Sequence, residues 1–229
     1  DLRNMLTTGQ LMTDRLEMSR DPIVARVLPK LIAALDRAIT LCERTLAYGR
    51  AEEPPPEPRR VDLNAMIDDV ADGLALGDRA EGAVAAGAGH RVVATGQVNV
   101  VSAVPEGFVV VADPDQLFRI LSNLARNAAE AIRGSGRAGR IEVLAEKAGP
   151  VARIVIADTG PGIPERTREH LFRPFRGSGR QGGTGLGLAI ALELATANGG
   201  SLELLSTSTT GTRFLLTLPA GGAARIVAA

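Results

Sequence analysis

Four short stretches in the second half of the chain bring side chains and backbone groups with chemical potential into a fixed order. In NLARNAAEAI (123–132), Asn123 and Asn127 stand four apart and share one face of a helix. Two amide oxygens one turn apart can hold a hydrated cation, although any exposed polar helix face supplies such pairs. In DTGPGI (158–163), directly after the apolar run IVIA (154–157), Asp158 puts a carboxylate at a sheet edge, and Gly160 and Gly162 let backbone approach a flat ligand. Such a carboxylate can accept a hydrogen bond from an adenine amino group; an ordinary Asp-Gly turn has the same composition.

The third stretch, LFRPF (171–175), holds Phe172 and Phe175 in a chain with only 3% aromatic residues. They precede the polar, glycine-rich run RGSGRQGGT (176–184), so they read either as anchors of a mobile lid or as plain core residues. Arg176 and Arg180 in that run can reach a terminal phosphate, or simply be solvated. The fourth, GTGLGLAI (183–190), is the most specific: Thr184, Gly185, Leu186, Gly187 and Leu188 open a helix whose free N–H groups can receive phosphate oxygens. It lacks the third glycine of a dinucleotide fingerprint, since Leu188 and Ile190 stand where that glycine would be, and it lacks a P-loop lysine.

These residues need a scaffold, and the chain supplies an α+β pattern for one. Strands are expected at 61–63, 98–104, 108–111, 140–145 and 152–157, with a closing hairpin of 201–206 and 212–218 around Thr210-Gly211. Helices are expected over 64–76, from a capping box at Asp113-Pro114-Asp115-Gln116 to Ile132, and from Thr184 or Gly185 to Asn198, stopped by Gly199-Gly200. Residues 77–96 are rich in Ala and Gly without periodicity and read as a long loop or a poorly specified helix end.

Upstream, apolar residues at helical spacing from Leu2 to Leu16 and again from Ile23 to Leu46, with Asp21-Pro22 between them as N-cap and N1, predict a helical hairpin. Pro29 is expected to kink the second helix or lie near its start. A hairpin with so wide an apolar stripe cannot bury it alone, so a homodimer forming a four-helix bundle is the expected completion. The segment AEEPPPEPRR (51–60) has the composition of a stiff linker. The organisation is therefore a hairpin over 1–50, a linker over 51–60, a second domain over 61–220 and a tail over 221–229.

Taken together and in this order, the four stretches resemble the N, G1, F and G2 boxes of the histidine-kinase ATP-binding domain, which shares its nucleotide fold with type II topoisomerases and a heat-shock chaperone. The resemblance implies an α/β sandwich holding ATP between helices and a lid. It assigns magnesium to Asn127 with Asn123 assisting, adenine to Asp158, Gly160 and Gly162, and the phosphates to Gly185 and Gly187. Gly211-Thr212 resembles the closing box near the adenine. Glu130, where relatives are often basic, departs from the pattern and leaves the phosphate charge to arginines elsewhere.

The opening residues Asp1 to Asn4 resemble the phosphoacceptor box read from its second residue, which makes the expected histidine the residue before Asp1 and the chain a fragment of a longer protein. Asp1 then assists the imidazole as a base, and Asn4 positions water for phosphatase activity. The implied function is that of a sensor histidine kinase, which uses Mg-ATP to phosphorylate a histidine and passes the phosphoryl group to the receiver domain of a response regulator. His90 and His170 fit no such box and are expected to be solvent-exposed or structural.

Bulk properties agree with this reading. The 26 basic and 26 acidic residues balance, giving no reason to expect nucleic acid as the main partner. Cys42 is the only cysteine, which excludes an internal disulfide framework and a cysteine-rich zinc site, and weakly favours the cytoplasm. No apolar run approaches the roughly 20 residues of a membrane span, so no membrane contact by these residues is expected.

Overall fold

The computed structural model describes residues 55–76, 84–87, 90–95, 97–174 and 185–221. The expected hairpin with Asp1, Asn4 and Pro29, the linker before Pro55, the tail beyond Gly221, and Phe175, Arg176, Arg180 and Thr184 lie outside the described residues.

In chain order the elements are β1 (Arg59–Asp62), α1 (Leu63–Leu76), β2 (Val84–Gly87), β3 (His90–Thr95), β4 (Val98–Ala103), β5 (Val109–Ala112), α2 (Pro114–Gly134), β6 (Gly139–Ala148), β7 (Val151–Asp158), α3 (Glu165–Arg168), α4 (Gly187–Ala197), β8 (Ser201–Ser208) and β9 (Gly211–Pro219). β1 and β5 form an antiparallel ribbon, and the other strands form a seven-stranded sheet in the order β2-β3-β4-β6-β7-β9-β8. Among the described strands only β4 and β6 pair in parallel, and β5 with α2 supplies the crossover that a parallel pair requires. Residues 77–96 were expected to be loop or helix end, but they contribute β2 and β3. Their antiparallel pairing outward from β4 forms the strands that local composition does not announce.

Alternation decides which sheet face is covered. Ala152, Ile154 and Ile156 of β7 and Phe214, Leu216 and Leu218 of β9 are each at most 6% exposed. They share one core with the buried stripe of α2, which includes Leu117, Ile120, Leu124, Ala128 and Ile132 at three-and-four spacing. α4 is apolar around most of its circumference and packs against both α2 and β8. The product is α1, α2 and α4 laid on a mixed sheet, the expected α+β layering.

The expected cap of α2 is present, and its second half comes from elsewhere. Asp113 Oδ1 accepts the Gln116 N–H at 3.0 Å with Pro114 at the first helical position. In a reciprocal box the Gln116 side chain would reach back to the Asp113 N–H. Asn198 takes that place: its Oδ1 accepts the Asp113 N–H at 2.7 Å, while its Nδ2 donates to Gln116 Oε1 and to the Leu194 carbonyl, both at 2.8 Å. Asn198 and Gln116 are buried, so this network ties the start of α2 to the end of α4 with its buried polar groups paired.

Candidate active site

α2 carries Asn123, half-buried, and Asn127, exposed, one turn apart on one face, and Ala131 follows one turn further along the same stripe. Two glycine-containing segments approach this stripe at its two ends. Near Asn123, a β-carbon on Gly187 would stand 3.5 Å from Asn123 Oδ1, so the first turn of α4 faces that amide. Near Ala131, a β-carbon on Gly160 would stand 3.2 Å from the Ala131 methyl and 2.8 Å from Asp158 Oδ1. From residue 123 to residue 131 a helix rises about 12 Å, enough to separate a base from the terminal phosphates of a nucleotide.

At the Asn123 end, Leu186 is the N-cap of α4, and no side chain among the described residues caps the first turn. Its leading N–H groups therefore lack intrahelical partners and carry the positive end of the helix dipole. Leu186 and Leu188 are buried, at 1% and 9% exposure, so their side chains serve the core and only their backbone can meet a ligand. Gly185 adopts a φ of +68° immediately before this turn.

At the Ala131 end, Asp158 is the last residue of β7 and its Oδ1 accepts the Gly160 N–H at 2.7 Å. Gly162 has φ +77°, and a β-carbon there would run into the Ser208 carbonyl. Only glycine satisfies both conditions. Gly211 is needed for a different reason: a β-carbon would strike the carbonyl oxygen of Asp158 on the neighbouring strand. Thr212 pairs with Asp158 across β9 and β7 and is 4% exposed. Asn123 thus faces Gly187 at one end of the α2 stripe, and Gly160, hydrogen-bonded to Asp158, meets Ala131 at the other, with Thr212 paired to Asp158. Asn127 lies on the stripe between them, and Gly162 and Gly185 stand two residues along the chain from Gly160 and Gly187.

Phe172 belongs with the core. Its ring meets Phe214 edge-on, with centroids 6.4 Å apart and planes at 72°, so of the two readings for this residue the packing one describes it. Glu130 is exposed on α2. His170 is half-buried, and its Nδ1 has no hydrogen-bond partner among the described residues. No cluster of three or more His, Cys, Asp or Glu suited to a metal occurs among the described residues, so a cation here would rely on amide and phosphate oxygens.

Residues 112–222, which hold all of these groups, match the family model described as histidine kinase-, DNA gyrase B- and HSP90-like ATPase. The chain carries an ATPase domain of this histidine kinase-like family. This ATPase domain is 40% identical over 114 residues to the C4-dicarboxylate transport sensor protein DctB of Rhizobium meliloti, covering 50% of this chain and 18% of DctB. It is also 40% identical over 102 residues to the sensory histidine kinase/phosphatase NtrB of Escherichia coli O157:H7, covering 41% of this chain and 29% of NtrB. The match therefore spans less than a third of either relative. Among solved structures, the mycobacterial sensor histidine kinase MprB aligns with a TM-score of 0.54 and 25% identity, over 71% of this chain and 98% of that one. Full-length ShkA in complex with AMPPNP shares the fold, with a TM-score of 0.67 and 24% identity over 97% of this chain and 44% of that one.

One contributor to the ATPase domain's site escaped the sequence reading. Thr207 of β8 accepts the Ile163 N–H on its Oγ1 at 2.8 Å and stands 3.4 Å from the Thr212 hydroxyl. Nothing in STSTT (206–210) distinguishes it from its hydroxylated neighbours, because its placement depends on strand register.

Proposed function

We propose that this chain is the catalytic part of a cytoplasmic sensor histidine kinase, which binds Mg-ATP in its ATPase domain, transfers the γ-phosphoryl group to a histidine and passes it to an aspartate of a response-regulator receiver domain. The observation that carries the reading is the approach of the α4 N-terminus to the asparagine face of α2, with Asp158 and Thr212 at the other end of the same stripe. In the first transfer the bond from the γ-phosphorus to the ADP oxygen breaks as a bond to an imidazole nitrogen forms. In the second the phosphorus–nitrogen bond breaks as an acyl phosphate forms. Little covalent chemistry falls to the protein, whose work is placement and charge neutralisation.

The same reading gives each residue a role. The leading amides of α4, with Gly185 and Gly187 leaving room, bind the phosphates. Asn127 offers an oxygen to magnesium, with Asn123 beside it, and the ion when bound neutralises charge on the phosphate oxygens. Asp158 accepts the adenine amino hydrogen while Gly160 and Gly162 admit the ring. Phe175, Arg176, Arg180 and Thr184 belong to the lid, with an arginine meeting the terminal phosphate. Residues 1–50 form the dimerising hairpin, residues 51–58 its linker to the catalytic domain, shorter than the expected 51–60 because Arg59 and Arg60 pair in β1, and Asp1 and Asn4 flank the accepting histidine. The regulator docks on that hairpin; the structure of the kinase ThkA in complex with the response regulator TrrA shares this chain's fold, with a TM-score of 0.63 and 24% identity.

The test is phosphorylation from γ-labelled ATP and magnesium of a chain extended upstream by its native residues, beside the 229-residue chain and an Asn127→Ala variant of the extended chain. Acid-labile, base-stable label on the extended parent alone is the expected result. ATP binding without any label would replace the kinase by a nucleotide-sensing scaffold that presents the hairpin to a partner.

A further inference from the structure

The core-facing rows of three adjacent strands all turn polar at the same end of the sheet. On β7 the row Ala152, Ile154, Ile156 ends in Asp158, and on β9 the row Leu218, Leu216, Phe214 ends in Thr212, with Asp158 and Thr212 directly paired. Paired residues of antiparallel strands present their side chains on the same face. On β8 the row begins with Leu202 and Leu204, opposite Leu216 and Phe214, and strict alternation would continue it to Ser206. A register shift between Leu204 and Ser206 interrupts that alternation, leaving Leu205 49% exposed and setting Thr207 opposite Thr212. An extra residue of this kind re-aims the side chains that follow it, and such bulges concentrate beside active sites.

The re-aimed hydroxyl has two neighbours. Thr207 Oγ1 accepts the Ile163 N–H at 2.8 Å, fastening the turn from Asp158 to Ile163 onto β8 at the level where Gly162 abuts the Ser208 carbonyl. The same oxygen lies 3.4 Å from Thr212 Oγ1. Ile163 takes one of the two lone pairs of Thr207 Oγ1, and either hydroxyl can donate across the 3.4 Å pair; where Thr207 donates, the Thr212 hydroxyl hydrogen is left to be offered elsewhere. Thr212 then acts as a donor beside the acceptor Asp158. Adenine presents the complementary edge, an amino donor next to a ring-nitrogen acceptor, whereas guanine presents a carbonyl acceptor next to an N–H donor.

We propose that Thr207 is the positioning residue that sets base selectivity: placed by the β8 bulge, its hydroxyl holds the Asp158–Ile163 turn and orients the Thr212 hydroxyl as a donor, favouring adenine over guanine. This assignment rests on the nucleotide-binding reading of the site. Thr207 touches neither phosphate nor base; it works through Ile163 and Thr212.

The experiment measures Kd for ATP and for GTP, with magnesium, on the 229-residue chain and on Thr207→Val and Thr207→Ser, together with each chain's melting temperature without nucleotide. Valine keeps the shape and removes the hydroxyl, and serine keeps the hydroxyl. The expected result is that T207V lowers the preference for ATP over GTP about tenfold, corresponding to loss of roughly one oriented hydrogen bond, while T207S retains it. Should the valine variant fail to fold, Thr207→Ala removes the hydroxyl without adding bulk and carries the same expectation. A parent that binds ATP, with a valine or alanine variant that keeps the parental ratio, overturns the assignment even if both affinities or the melting temperature fall. A parent that binds neither nucleotide overturns the nucleotide-binding reading itself, and this assignment with it.

Discussion

Asn123 Oδ1 lies 3.5 Å from the point where a β-carbon on Gly187 would stand, so an amide in the middle of α2 faces the first turn of α4 across a gap of about one methyl group. That gap is ordinary van der Waals distance, which makes Gly187→Ala a probe of the site more than of the fold. The variant is expected to melt within a few degrees of the parent, since alanine also favours helix over glycine by up to about 1 kcal/mol. Its ATP affinity is expected to fall at least about tenfold, because the methyl occupies space between the leading amides of α4 and Asn123. Calorimetric titration beside thermal unfolding separates the two effects.

Asn127 is exposed on α2, so its replacement has little folding cost: Asn127→Ala should change stability by no more than about 0.5 kcal/mol. Nucleotide affinity measured with magnesium should fall toward the value measured with chelator, and the parent's dependence on magnesium should shrink. A variant that responds to magnesium as the parent does would remove Asn127 from the metal.

Gly211→Ala should behave in the opposite way. Its β-carbon would meet the backbone carbonyl of Asp158, and backbone cannot rotate aside as a side chain can. Unfolding in urea is expected to show a loss of about 2 kcal/mol or more, because relief requires β9 and β7 to separate at the level of Asp158. An unchanged midpoint would mean that the two strands do not approach so closely in solution.

Asp113 allows a selective cut. Its Oδ1 caps Gln116 and its Oδ2 accepts the Glu57 N–H at 3.0 Å, two residues before β1. Its carboxyl is held below the usual carboxylate range, first by the Gln116 N–H and then by the Glu57 N–H; burial opposes this, and the Asp115 N–H and Arg59 add to it. A lowered folded pKa means that the stabilisation is complete above the unfolded value, near 4, and is lost as pH falls through the lower folded value. Asp113→Asn preserves the helix cap but turns an N–H donor toward Glu57. Amide exchange at Glu57 should accelerate at neutral pH in the variant and, in the parent, only below about pH 4, while exchange in α2 stays slow in both.

The types and order of the chemical residues were legible in the chain, because they depend on local rules. Asn123 and Asn127 share a face wherever that segment is helical, Asp158 ends an apolar strand, and Gly185 and Gly187 open a helix whatever surrounds them. The α2 cap was legible for the same reason, since Asp113 reaches Gln116 within one turn.

Long-range pairing decided the rest. β2 and β3 are strands through their pairing outward from β4, although the Ala- and Gly-rich segment 77–96 that holds them carries no strand period. Asn198 completes the α2 cap from 85 residues away, a partner no local rule can name. Thr207 joins Thr212 and Asp158 because β8 slips its register between Leu204 and Ser206, and the uniformly hydroxylated run 206–210 does not show which of its residues the slip sets against β9. Side-chain chemistry is a property of the residue and its near neighbours along the chain, and the amino-acid sequence by itself determined it. Which hydroxyl faces which carboxylate is a property of strand register, and only the tertiary structure decided that.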